Sequence, residues 1–191
     1  MKVKLTNVRG AFLKLFEAEQ VNGEGEARYG AAFVIDPKNT TLVKELDAAM
    51  VALAKEQWKD KAAGTLQTLI SAGRVAFLHR PKTNQAGEVY DGFEDMFHLN
   101  ASRRISQGRP LVLDVDGKTP LVAEDGKPYS GCYVNATVDL WAQDNKWGKR
   151  INATLLGVQF LRDGDSFSGG AKPSMDDFED VTEGATADDL A

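Results

Sequence analysis

The chain has 191 residues, of which 42% are hydrophobic and 27% charged, and a formal net charge of −5. This is ordinary globular composition with enough length for one sizeable core, which excludes a chain disordered throughout. Cys132 is the only cysteine, so neither an intramolecular disulfide nor a cysteine-built zinc cage can form, and a reducing cytoplasm is the expected setting. No apolar run has signal-peptide or membrane-spanning length, so no membrane association is expected.

Residues 2–8 (KVKLTNV) alternate polar and apolar and predict a first strand. Residues 16–28 (FEAEQVNGEGEAR) centre on NGEGE and predict a turn or mobile loop, and residues 29–35 (YGAAFVI) a second strand. Asp36-Pro37 ends that strand, and Asn39, Thr40 or Thr41 is placed to cap a helix. The helix is expected over about 41–59. Leu42, Leu46, Ala49, Leu53 and Gln57 lie near one line, with Val43 and Met50 beside it and the charges largely elsewhere. A short second helix is expected over 64–72, ended by Gly73.

Beyond Arg74 the texture becomes β. VAFLH (75–79) and FHLNAS (97–102) read as short strands around a long polar loop. PLVLDV (110–115) and PLVA (120–123) read as two more, each followed by an Asp-Gly turn signal. GCYVNATVDLWAQD (131–144) and RINATLLGVQFLRD (150–163) are the longest strands, joined as a hairpin through residues 145–149. In the first, Cys132, Val134, Ala136, Val138 and Leu140 share one face, suited to a barrel interior; Tyr133, Asn135, Thr137, Asp139 and Trp141 share the other. In its partner both faces are partly apolar, and alternation leaves the inside unassigned. The folded body is expected to end near 168–170.

The remainder is acidic. From Lys172 onward there are seven acidic residues and one basic one, which leaves 22 basic and 21 acidic residues in 1–171. A tail without apolar periodicity is expected to be disordered, and the asymmetry between a near-neutral body and an acidic tail is compatible with nucleic-acid handling.

Aromatic residues interleaved with cations carry the functional reading. Tyr133 and Trp141 share the outer face, and Trp147 sits in the hairpin loop between Lys146 and Lys149, with Arg150 next. Phe97 opens a strand that leads into Arg103 and Arg104, and Arg80 and Lys82 begin the long polar loop. An exposed ring can stack any base, and flanking Lys and Arg neutralise phosphates; because duplex DNA hides its base faces, the pattern favours single strands. The competing reading of each strand aromatic is ordinary core or cross-strand packing.

Catalytic chemistry is poorly represented. His79 and His98 lack metal-ligand spacing even with Glu94 and Asp95 nearby. Asp114 and Asp116 form a DxD that could hold Mg²⁺ in a nuclease with a carboxylate from 91–95, but turn chemistry explains them without a metal. No enzyme, no cofactor and no metal is expected.

Several strings together resemble a family of phage-encoded single-stranded DNA-binding proteins long catalogued as a domain of unknown function. These are YSGCYVNATVDLWAQD, GVQFLRDGDSFSGG, MDDFED, the opening KVKLTNVRGAFLKLFEA and FHLNAS, spanning nearly all of residues 2–180. The resemblance implies a mainly β fold with added helices. Residues 1–170 would form an oligonucleotide-binding (OB) antiparallel barrel with a helical insertion at about 41–72, and residues 171–191 a disordered acidic tail. It implies sequence-independent binding of single strands in phage replication, recombination or repair, in the host cytoplasm. It also implies a tail (Asp176, Asp177, Phe178, Glu179, Asp180, Asp188, Asp189) that competes with DNA and contacts replication or recombination proteins. Functional relatives end in acidic residues and a terminal aromatic, whereas this chain ends Asp188-Asp189-Leu190-Ala191 and holds Phe178 as its only tail aromatic. A homodimer is one candidate assembly. The rival class is a phage protein-interaction or structural module that does not bind DNA.

Overall fold

The computed structural model describes residues 1–167. In chain order they form β1 (Lys2–Val21), β2 (Glu24–Ile35), α1 (Thr40–Trp58), α2 (Ala62–Ser71), β3 (Phe77–Leu78), β4 (Phe97–Arg104), β5 (Leu111–Leu113), β6 (Tyr133–Asn145) and β7 (Gly148–Arg162). The sheet order is β3-β4-β2-β1-β6-β7-β5, and a further parallel pairing of β4 with β7 at Ser102 and Thr154 closes it. Five strands therefore form a ring, β1-β2-β4-β7-β6, which is the OB arrangement of a small, partly open Greek-key barrel. The expectation of a mainly β, OB-like barrel with added helices is met, and the helices lie between β2 and β4.

The interior follows the alternation. Val134, Ala136, Val138 and Leu140 of β6 are buried, as are Val3, Leu5, Phe33, Ile35 and Leu99. In β7 the inward set is Ile151, Ala153 and Leu155, then Val158 and Phe160. The parity changes because β6 and β7 slip register between Thr137↔Gly157 and Val138↔Leu155. The extra residue, Leu156, forms a bulge that turns the next inward side chain by one position. This is why simple alternation could not assign the inside of that strand.

Three expectations require correction. The first strand runs to Val21 rather than ending near residue 8, and most of 16–28 is strand. The only break in it is the Asn22-Gly23 turn, where both residues have positive φ (55° and 72°), as a two-residue hairpin turn requires. β1 hides its length because Asn7 (φ 53°) and Phe12 (φ 51°) interrupt the period-two pattern and bend the strand around the barrel. Finally, PLVA (120–123) is not a strand; it contributes a single bridge, Pro120 to Leu113.

The helices match closely. Asn39 is the cap, its Oδ1 accepting from the Leu42 N–H at 3.2 Å. Leu42, Leu46, Ala49, Met50, Leu53, Ala54 and Trp58 form the buried face, with Trp58 rather than the exposed Gln57 at its C-terminal end. The Trp58 indole N–H donates to Asp144 Oδ2 at 2.9 Å, which ties the helix to the β6–β7 hairpin.

A second, smaller core lies outside the barrel. The loop 80–96 folds over the outer face of β1 and β2, where Phe93 is fully buried against Ala11, Ala32 and Val34. His98 of β4 is buried beneath this loop, its Nδ1–H donating to the Arg80 carbonyl at 2.7 Å. Burial holds its imidazolium pKa below the ordinary value, and the nearby Lys82 and Arg80 charges act in the same direction.

Candidate nucleic-acid interface

The main groove follows the seam where the barrel closes. Two strands meeting in parallel at a single pair leave a gap, and the chain after α2 fills it: the Ile151 N–H donates to the Arg74 carbonyl at 3.1 Å and the Asn100 N–H to the Ala76 carbonyl at 2.9 Å. Above this seam lies a groove of about 1120 Å³.

Its floor is small and polar. The outward residues Asn100 and Ser102 of β4 and Asn152 and Thr154 of β7 all line it. Two tryptophans rise from the β6–β7 hairpin. Trp141 donates from its indole N–H to Thr154 Oγ1 at 3.1 Å, which fixes its orientation against the floor. Trp147 is 74% exposed at the hairpin tip, where Asn145 Oδ1 accepts its backbone N–H at 2.9 Å. The Lys146 ammonium lies 5.1 Å from the Trp147 ring centroid, over one face.

Four arginines line the groove, Arg28, Arg74, Arg104 and Arg150, and among the described residues no carboxylate does. Arg104 has a loose pairing with Glu26 at 3.9 Å; the Glu26 carboxyl is held below its ordinary pKa chiefly by hydrogen bonds from Ser106. Among the described residues no ion pair reaches Arg28, Arg74 or Arg150. Arg74 donates from Nη2 to the Trp147 carbonyl at 3.1 Å, joining the α2 exit to the hairpin tip. Its Nε is buried with no hydrogen-bond partner among the described residues. Such a donor is costly unless something accepts from it. The site can therefore offer two indole rings, four cations with spare donors and a polar floor to a polyanion carrying flat rings.

The structure brings together Trp141, Trp147, Arg104 and Arg150 from the expected residues, with Lys146 on Trp147. Arg80 lies at the rim, its guanidinium packed beside the groove residue Gly73. Lys82 lies just beyond: its Nζ donates to Asn100 Oδ1 at 2.9 Å, and burial lowers its pKa.

Four others are placed elsewhere. Tyr133 lies at the opposite end of β6 from Trp141, with the Arg162 guanidinium 3.9 Å and that of Arg9 5.4 Å from its ring centroid. Phe97 is half-buried and stacked on His79, centroids 4.5 Å apart at 4°. Arg103 turns inward along β4 and donates to the carbonyls of Gln107 (2.7 Å) and Gly108 (2.8 Å). Lys149 points to the opposite face from its neighbour Arg150, toward Asp144 (3.6 Å) and the Trp58 ring (5.7 Å).

Asp114 and Asp116 are committed to their loop. Asp114 pairs with Lys127 at 3.1 Å, and Asp116 accepts from the N–H groups of Lys118 and Thr119. The tail residues Asp176, Asp177, Phe178, Glu179, Asp180, Asp188 and Asp189 lie outside the described residues.

Sequence reasoning missed Arg28 and Arg74. Arg28 could have been found by counting in twos along β2, since Arg28, Gly30, Ala32 and Val34 share the outer face and pair with Arg104, Ser102, Asn100 and His98. Arg74 carried only a weak signal, a lone cation after the glycine that ends α2.

A closed five-stranded barrel with an open, cationic, aromatic-walled seam defines a protein of the oligonucleotide-binding fold. The family model described as "Enterobacter phage Enc34, ssDNA-binding protein" matches residues 1–191, and the chain belongs to that family. "Putative protein p50" of Acyrthosiphon pisum secondary endosymbiont phage 1 is 42% identical over 182 residues, covering 95% of each chain. Among solved structures, the single-stranded DNA-binding protein of bacteriophage Enc34, in complex with ssDNA, shares the fold with a TM-score of 0.71 and 22% identity, over 87% of this chain and 89% of that one. The single-stranded DNA-binding protein gp2.5 of bacteriophage T7 aligns with a TM-score of 0.57 and 12% identity, over 91% and 98%.

Proposed function

We propose that this protein binds single-stranded DNA without sequence preference, in the groove along the β4–β7 seam. The observation that carries the reading is the groove itself, with two tryptophans and four arginines, and no carboxylate among the described residues, around a small polar floor. Membership of a family described as ssDNA-binding, and a structural neighbour of the same fold described in complex with ssDNA, support it.

The mechanism is passive. Bases stack on Trp141 and Trp147, each stack contributing roughly 1–3 kcal/mol, while Arg28, Arg74, Arg104 and Arg150 take the phosphates and displace counterions. Arg74 has no carboxylate partner among the described residues, which leaves its charge available to a phosphate. Lys146, Arg80 and Lys82 add positive potential at the ends. The coated strand is kept from re-pairing and from nucleases during phage replication, recombination or repair in the host cytoplasm. No bond is made or broken.

The acidic tail completes the reading. Lys172 and the seven carboxylates after it carry a net −6 against a body of +1, so the tail can compete for the groove in cis and, once displaced, recruit replication or recombination proteins. Truncation after residue 171 is expected to raise affinity for single strands; unchanged or weaker binding would remove the competition.

The test is a titration with labelled oligo-dT and a duplex of equal length at two salt concentrations. Single strands are expected to bind more tightly, with log K falling against log salt by about 0.7 per phosphate contact. Equal duplex binding, or a flat salt response, would overturn the proposal.

A further inference from the structure

A second cavity lies on the same outer surface as the groove. It has a volume of about 340 Å³ and a mainly apolar lining that includes Phe12, Tyr90, Phe93 and Phe167, near the lower end of the range for small-molecule pockets. Phe12 stands at its mouth, 41% exposed, with the Tyr90 ring edge-on at 4.8 Å.

Phe12 holds an unusual backbone conformation. Its φ of 51° lies in the left-handed region, uncommon for a bulky side chain and costing about 1–2 kcal/mol. Ser130 Oγ accepts its N–H at 3.0 Å and holds the bulge in place. Strain kept at an exposed ring is a reason to look for a ligand there.

The cavity lies close to the groove, separated from it by the 80–96 loop, whose Phe93 covers Ala32 and Ala11. Asn100, on the groove floor, pairs with Ala32 of β2, and Ala32 pairs with Ala11 of β1, which lines the second cavity. The two sites are thus two strand spacings apart, about 10 Å. One ammonium spans the interval: Lys82 Nζ lies 2.9 Å from Asn100 Oδ1 and 5.7 Å from the Phe12 ring centroid. Arg9 packs over the Phe167 ring at 4.2 Å with its donors on the Gly131 and Asp165 carbonyls, bracing that wall of the cavity, and the exposed Asp91 is the one carboxylate in the lining among the described residues.

The geometry points to the Phe12–Tyr90 cavity as a second base-binding site, in which a nucleobase of the strand leaving the groove past Lys82 stacks on Phe12. The inference rests on the groove being the single-strand path. It extends that path beyond Asn100, past Lys82 and over the 80–96 loop that covers β2 and β1.

The test uses the full-length chain and oligo-dT of about 12 nucleotides carrying 5-iodouracil, which crosslinks to stacked aromatic side chains under ultraviolet light, with adducts located by mass spectrometry. Adducts on Phe12 or Tyr90 are expected besides those on Trp141 or Trp147. In parallel, Phe12→Asn removes the ring while keeping a residue that tolerates the positive φ, and is expected to weaken binding roughly 5- to 150-fold. Adducts confined to the tryptophans, with F12N binding unchanged, overturn this inference and leave the groove standing. Absence of adducts on Trp141 and Trp147 overturns the groove reading and this one with it. Tighter binding by F12N would show that the Phe12 ring opposes the strand, again against the inference.

Discussion

Two clusters of arginine and aromatic residues lie on this barrel, and they differ in what their donors already hold. Around Tyr133, Arg9 donates to the carbonyls of Gly131 and Asp165 at 3.0 and 2.6 Å and lies over Phe167, while Arg162 donates to Asn7 Oδ1 at 2.6 Å and lies over Tyr133 itself. Along the β4–β7 seam, Arg28, Arg74 and Arg150 have no ion pair among the described residues, and Trp147 is largely exposed. The residue types are the same. The first cluster fastens the chain leaving β7 back onto β1; the second retains capacity for a ligand. Composition therefore cannot separate a structural clasp from a binding surface, whereas an account of hydrogen-bond partners can.

That contrast can be broken by mutation. Trp147→Ala should have the largest effect, a loss of about 1–3 kcal/mol in single-strand affinity by fluorescence anisotropy, because one stacking surface disappears. Tyr133→Leu in the same assay should leave affinity unchanged; a comparable loss would erase the distinction between the clusters.

A finer contrast lies within one dipeptide. Arg150→Gln should lower the slope of log K against log salt by about 0.7, the value of one phosphate contact. Lys149→Gln should leave the slope alone, since Lys149 faces Asp144 and Trp58. Equal slopes for the two variants would mean that side-chain parity does not set the interface.

The Tyr133 cluster should register instead in stability. Tyr133→Leu removes the ring beneath two guanidinium groups and should cost about 0.5–2 kcal/mol in urea unfolding. A variant as stable as the parent would show that the clasp contributes nothing.

The smallest expected effect concerns His98, under the 80–96 loop. Burial lowers its pKa in the folded chain, so below about pH 6.5 the unfolded chain takes up a proton that the folded chain refuses. Stability is full above that pH and declines as the pH falls from there toward the lower folded-state value. His98→Gln, which can still donate to the Arg80 carbonyl, should flatten the melting temperature between about pH 7 and 5. An unchanged pH dependence would place the sensitivity elsewhere.

Much of this was legible in the sequence where a single period governs an element. α1 was readable because a 3.6-residue stripe and an Asn cap agree, and β6 because strict alternation separates Val134, Ala136, Val138 and Leu140 from Trp141. Legibility failed where backbone bends reset the count, at Asn7 and Phe12 in β1 and at Leu156 in β7. The hairpin's contribution to the site, Trp141, Trp147 and Arg150, followed from its pattern. Arg28 and Arg74 did not, because they come from β2 and the α2 exit and meet the hairpin only when β4 closes onto β7. Phe97 and Arg103 misled for the complementary reason: their strand was read correctly, but the stacking of His79 and the carbonyls that Arg103 meets depend on tertiary neighbours.

The chain's three tryptophans allow the central claim to be read directly. Trp58 is buried with its indole N–H on Asp144, whereas Trp141 and Trp147 line the groove. In a ¹⁵N-labelled protein the three indole N–H signals can be followed as oligo-dT is added. Shifts or broadening at Trp141 and Trp147, with Trp58 left in place, is the result expected if unpaired bases enter the seam. Saturable binding that leaves both groove indoles unmoved would contradict it.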